Sequence, residues 1–172
     1  MTTPNPPTIL ALDPGLRELG FAVLQGNRFI TGGVIPLRLL PRADRLPEAR
    51  SRIAALVSLH QPRTIVVEKT YRHPVPWLDE LHEITLCARR LARKHRLHFA
   101  TYAPQAVRQG VVGNGKARKH EVAVAVSLRI RQLRVHLTQD RRWKESYWYN
   151  LFDAVALGLH HHAQDNPPSR SR

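Results

Sequence analysis

Three apolar, β-prone runs crowd into the start of the chain, at Thr8 to Leu12, Phe21 to Leu24 and Arg28 to Ile35. Gln25-Gly26-Asn27 supplies a tight turn between the second and the third, so the chain opens as an antiparallel meander. From there helix and strand alternate. Leu46, Ala49, Ile53, Leu56 and Val57 repeat at helical spacing, Pro62 stops that helix, and Ile65-Val66-Val67 reads as a strand. A longer helix then places Leu78, Leu81, Ile84, Cys87, Ala88, Leu91 and Ala92 on one face, and a short strand follows at His98 to Tyr102. Further helices are predicted from about Lys116 to Ile130 and from about Ser146, the last turning Leu151, Ala154, Val155 and Leu159 inward. A meander followed by alternating helices and strands predicts the α/β class: a mixed five-stranded sheet, three strands antiparallel and the rest parallel, with helices on both faces.

The chain has 172 residues, the size of one domain, so a single site is expected. Residues 8–163 form the predicted body. The proline-bearing segment 1–7 and the basic segment 164–172 read as disordered tails. Lys and Arg total 27 against 13 Asp and Glu, a formal charge of +14, which calls for a polyanionic partner, nucleic acid first and an anionic membrane surface second. No stretch approaches the roughly 18 apolar residues of a spanning helix, and Met1 to Pro7 lacks the layout of a secretion signal. A soluble protein of the cytoplasm, with no membrane partner, is therefore expected. The lone cysteine, Cys87, can form no internal disulfide and reads as a small buried apolar residue.

Sites in α/β sheets gather at strand ends, and two carboxylates sit where an apolar strand gives out. Asp13 follows Ile9-Leu10-Ala11-Leu12, and Glu68 follows Ile65-Val66-Val67. A third, Asp153, lies inside the apolar run of the last helix, where a charge is costly unless paired or bound to a cation. Singly, each has an ordinary explanation: a turn cap, an ion pair, a wet helix face. Together they suit a hard cation, since Mg²⁺ prefers carboxylate oxygens, and two such ions roughly 4 Å apart serve phosphodiester hydrolysis.

The ordered set Leu12-Asp13-Pro14-Gly15, Gly20, Val67-Glu68, Tyr102-Ala103-Pro104-Gln105-Ala106-Val107-Arg108, Val111-Val112-Gly113-Asn114-Gly115 and Asp153-Ala154 resembles the RuvC-type Holliday-junction resolvases across nearly the whole body. The resemblance implies an RNase H-like fold, a homodimer, Mg²⁺ or Mn²⁺ dependence with two ions per site, and paired symmetric nicks in four-way branched DNA. It implies that Asp13, Glu68 and Asp153 are catalytic metal ligands. The family's fourth ligand, acidic or histidine, falls at Asn150, whose amide oxygen can bind a cation but brings no charge. Tyr71 falls where the family places an aromatic that stacks in the junction, and Arg108 and Lys119 where it places basic residues near the cut strand. Lys116, behind Gly113-Asn114-Gly115, reads as a further phosphate contact on a flexible loop. That loop lacks the full P-loop pattern, so no nucleotide cofactor is expected.

Two features point elsewhere. His160-His161-His162 cannot all face one ion, because successive helical residues diverge by about 100°, and they read as a helix C-terminus. Trp143, Tyr147, Trp148 and Tyr149 suit packing at least as well as base stacking. Two rival readings stay open here: a branched-DNA-binding protein that no longer cuts because of Asn150, and an ATP-binding actin-like or sugar-kinase relative, which would need a second phosphate hairpin and far more chain.

Overall fold

The computed structural model describes residues 5–72, 74–137 and 147–166. Strands β1 (Thr8–Pro14), β2 (Glu18–Gln25) and β3 (Arg28–Pro36) form the meander. A two-residue loop joins the last two, with Gly26 at φ +61°, a backbone conformation that costs glycine little. Helix α1 (Arg42–His60) leads to β4 (Thr64–Glu68), and α2 (Pro76–Lys94) leads to β5 (His98–Tyr102). Helices α3 (Pro104–Val112), α4 (Lys119–Arg129) and α5 (Tyr149–Asp165) follow. The sheet order is β3-β2-β1-β4-β5, with β4 and β5 parallel to β1.

β1 is buried on both faces, which is why it reads as a continuous apolar run. Its period-two alternation divides the core. Leu10 and Leu12 pack with Ile53 of α1 and Ala88 and Leu91 of α2, while Ile9 and Ala11 pack with Val107, Val126, Phe152 and Val155 of α3, α4 and α5. Helix α5 lies flat on the sheet because two glycines let it. A Cβ on Gly20 of β2 would fall on the carbonyl of Asn150, and one on Gly158 of α5 would meet Leu24 Cδ1 at 2.5 Å.

The differences from expectation are local. Helix α3 went unread: it is only nine residues long, though Pro104 at its first turn and Gly113 in the left-handed conformation at its end mark both boundaries. Helix α4 begins at Lys119 and not Lys116, because Glu121 Oε2 reaches back to accept from the Arg118 N–H there. β2 opens at Glu18, two residues before Gly20, and the final helix runs two residues past Ala163. The expected start at Ser146 and the aromatic Trp143 lie outside the described residues. Cys87 is buried against the core, as expected.

Candidate nuclease site

Strand register places the first two carboxylates. Leu12 pairs with Val67 across β1 and β4, so Asp13 and Glu68 occupy the next positions on adjacent strands about 4.8 Å apart. Both alternate toward the face that α5 covers. Asp153 stands one turn beyond Asn150 on that helix, and the seat on Gly20 brings the start of α5 down to the strand ends. Asp13 is 7% exposed, Glu68 and Asp153 are half-buried.

The electrostatics follow from that crowding. Burial, then Asp153 and Glu68, push the Asp13 carboxyl well above its usual range, opposed by Lys119 and Arg108. Burial and then Asp153 raise Glu68 to about 7, again opposed by Lys119 and Arg108. Lys119 Nζ bonds Asp153 Oδ2 at 3.0 Å and reaches Asn150 Oδ1 at 3.5 Å. Burial pulls the Lys119 ammonium down, but Asp153, Asp13 and Glu68 outweigh it and hold it above its ordinary value. Three mutually repelling carboxylates served by one close ammonium form an oxygen-only, under-neutralised site, which is the donor chemistry a hard cation fits. Among the described residues no three acidic, His or Cys side chains stand close enough to close on a single ion; a cation here would complete its shell with water or phosphate oxygens, as Mg²⁺ commonly does.

A carboxyl raised in the folded state keeps protons that the unfolded chain has released, so stability declines as pH climbs from the ordinary carboxylate range toward 7. Buried His160 and His161, lowered by burial, act with the opposite sign. The metal-free wild type is therefore expected to lose stability relative to Glu68→Gln between pH 4.5 and 7, and Mg²⁺ should raise its melting temperature more at pH 7.5 than at pH 5. Parallel melting curves for the two proteins across that range would remove the repulsion among these acids.

The remaining predicted residues surround this cluster unevenly. Arg108, on α3, lies near enough to Asp13 and Glu68 to lower both. Tyr71 is 65% exposed just past β4, with Lys69 Nζ 5.3 Å from its ring centre, so it is not a core tyrosine. Lys116 sits on the loop before α4, exposed, and exerts no resolved pull on the carboxylates. That loop is clamped: Gln109 Nε2 donates to the Gly113 carbonyl and Gln109 Oε1 accepts from Gly115 N–H, both at 3.0 Å, while Asn114 Oδ1 accepts from Lys116 N–H. Sequence reading missed Gln109; its only signal was its place beside Arg108.

The set-aside features pack. Tyr147 donates to the Val34 carbonyl under Arg38, and Trp148 lies 3.9 Å from the His136 ring. His160 and His161 are buried, more than a helix end requires. His161 shares a 2.9 Å hydrogen bond with the Tyr102 hydroxyl and lies 3.2 Å from Asp165, and His160 stands edge-on to the Tyr102 ring.

A mixed five-stranded sheet flanked by helices, with acids at its strand ends and on its last helix, is an RNase H-like arrangement. Solved structures of similar fold include Thermus thermophilus RuvC, at TM-score 0.70 and 21% identity over 92% of this chain and 95% of that one. T. thermophilus RuvC in complex with a Holliday junction substrate superposes at TM-score 0.69 and 24% identity, covering 90% and 92%. The crossover junction endodeoxyribonuclease RuvC of Rhodopseudomonas palustris is 33% identical over 130 residues, 72% of this chain and 75% of that protein. The family model described as crossover junction endodeoxyribonuclease RuvC matches residues 9–161. The chain belongs to the RuvC family. It is thus a nuclease of the crossover-junction class, metal-dependent as the family is in general.

Proposed function

We propose that this protein resolves four-way DNA junctions in the cytoplasm by paired symmetric nicks, acting as a homodimer with two Mg²⁺ or Mn²⁺ ions at each site. The observation that carries the reading is the convergence of Asp13, Glu68 and Asp153, from three separate elements, on one face with Lys119 among them. Those three carboxylates and the Asn150 amide would hold the metal, which when bound supplies Lewis acidity and an activated water. Arg108 clamps a phosphate oxygen pair, and Lys119 passes from Asp153 to the strand's phosphate as DNA displaces it. Lys116, on its Gln109-braced loop, adds a backbone contact. Tyr71, exposed beside the site, stacks on an unpaired base at the crossover, worth roughly 1 to 3 kcal/mol without base preference.

For the dimer, a groove of about 450 Å³ runs between α1 and α2, with Leu46, Pro47, Ala54 and Cys87 along it. The Leu, Ile and Ala face of α2, which its spacing offers to core and partner alike, goes to the core. Ile84, Ala88, Leu91 and Ala92 are spent on the core, and the outer face of the helix's second half is basic. The partner contact is therefore assigned to this groove. Cleavage of a labelled four-way junction in Mg²⁺ or Mn²⁺ but not in EDTA tests the function. Binding without cleavage in either metal would favour the non-cutting alternative, against which all three carboxylates now count.

Asn150 distinguishes this chain within that scheme. Its Oδ1 faces Lys119 and its Nδ2 lies 3.4 Å from where a Cβ of Gly15 would be. Asn150→Asp should lower the Mg²⁺ needed for half-maximal cleavage by roughly tenfold, the scale on which one supporting partner tunes a metal, and wild type should work better in Mn²⁺. An unchanged Mg²⁺ requirement in a folded Asn150→Asp protein would place Asn150 outside the ion's reach.

A further inference from the structure

The chain carries no acidic residue between Glu83 and Glu121, while nine lysines and arginines fall in that interval. Four of the nine belong to the nuclease site and its loop. The other five, Arg89, Arg90, Arg93, Lys94 and Arg96, gather at the C-terminal end of α2 and the turn beyond it, all exposed. A groove of about 580 Å³ is lined by Arg89, Arg90, Arg93 and Lys94. Among the described residues, no ion pair joins these four to a carboxylate. Basic residues in a last helical turn relieve the helix dipole, but that accounts for one or two charges and not for a lined groove. The turn adds a second observation. Arg96 holds φ +56°, and Leu97 N–H bonds back to the Ala92 carbonyl at 2.8 Å. This is the helix-ending position that glycine usually fills, and an arginine there costs about 1 kcal/mol or more of backbone strain.

We propose that this end of α2 is a second DNA-backbone site, which grips a duplex arm of the bound junction away from the crossover. The proposal rests on the junction-resolving reading above. Helix α2 lies on the face of the sheet opposite α5 and the acids, and it runs from the strand ends that hold Glu68 to the other end of β4 and β5, where His98 pairs with Thr64. An arm therefore reaches the groove by passing along the β5 edge, beside which Arg89 lies over Phe99. Its 19 residues span about 28 Å at 1.5 Å per residue. Duplex DNA rises 3.4 Å per base pair, so an arm leaving the nuclease site reaches the groove after roughly 8 base pairs. Planar guanidinium groups match phosphate oxygens two at a time, and a groove without carboxylates imposes no repulsion on the backbone. Duplex phosphates fit it better than an acidic protein segment does, because every residue that lines the groove is a lysine or an arginine and none is an apolar residue that would select a side chain.

The test uses Arg93→Ser, Lys94→Ser and Arg96→Gly combined. It leaves Arg89, whose guanidinium lies 5.2 Å from the Phe99 ring centre, and Arg90, which borders the α1–α2 groove, and it gives the turn the residue its backbone prefers. Binding to a junction with 25-base-pair arms is measured in EDTA across a salt series, with hydroxyl-radical footprinting of the arms. The expected result is unchanged protection at the crossover, lost protection roughly 8 base pairs out, and a salt slope smaller by about three, roughly one unit per cation removed. Arg93→Lys alone should keep the slope. A triple variant that melts like wild type and keeps both slope and arm footprint would overturn the proposal and leave the groove to an acidic protein. A wild type that binds linear duplex as tightly as the junction would overturn the junction reading instead, and the second site would then be judged by the same slope on that duplex.

Discussion

Asp13→Asn, Glu68→Gln and Asp153→Asn are each expected to lower junction cleavage by about 10³-fold or more while leaving junction affinity within a few-fold of wild type. Losing a cation's stabilisation of the transition state removes several kcal/mol, and each 1.4 kcal/mol is a factor of ten. Affinity, by contrast, resides in Lys and Arg contacts to phosphate. Removing a repelling negative charge from so crowded a cluster should, if anything, help the anionic backbone approach. Single-turnover cleavage and gel-shift titration on one labelled junction measure both quantities. A variant that cuts at the wild-type rate would take its residue out of the metal site.

Gly20→Ala is expected to be the most damaging conservative change away from the acids. The new methyl would occupy the place of the Asn150 carbonyl, which belongs to helix backbone and has no rotamer to escape into, so the start of α5 must lift from the sheet. Overpacking of this kind costs about 1 to 3 kcal/mol, and at 2 to 4 °C per kcal/mol for a chain of this size the melting temperature should fall by about 2 to 12 °C. Cleavage should fall further than stability predicts, because lifting α5 moves Asp153 relative to Asp13 and Glu68, and a displacement near 1 Å costs roughly 10²-fold. A Gly20→Ala protein with wild-type melting and cleavage would show that the helix is not seated there.

Much of this arrangement was readable from residues alone. β1 and β4 were legible because they are short apolar runs fenced by Gly, Pro and polar residues, and Asp13 and Glu68 stood out as charges at the ends of those runs. Asp153 was legible as a charge inside an apolar helix. What stayed hidden depended on three dimensions. Helix α3 has only Val107 and Val111 to declare its buried side, too few for a period. Lys119 was placed by resemblance, but its bond to Asp153 joins residues far apart in sequence, and nothing in either neighbourhood announces it. The outer charge on α2 was obscured by its strong apolar face, which reads as shared between core and partner where Ile84, Ala88, Leu91 and Ala92 all go to the core.

The two glycine notches under α5 set a length standard. Asn150 must lie over Gly20 while Gly158 lies against Leu24, so the stretch between them is fixed at both ends with Asp153 inside it. One inserted residue would turn everything beyond it by about 100° and advance it 1.5 Å, carrying either the aspartate or the far notch off its mark. Evolution can therefore exchange side chains along this stretch, as at Asn150, far more readily than it can change the number of residues in it. Length variation among relatives is expected to collect in the connections before Tyr149 and after Asp165, where neither notch constrains the chain.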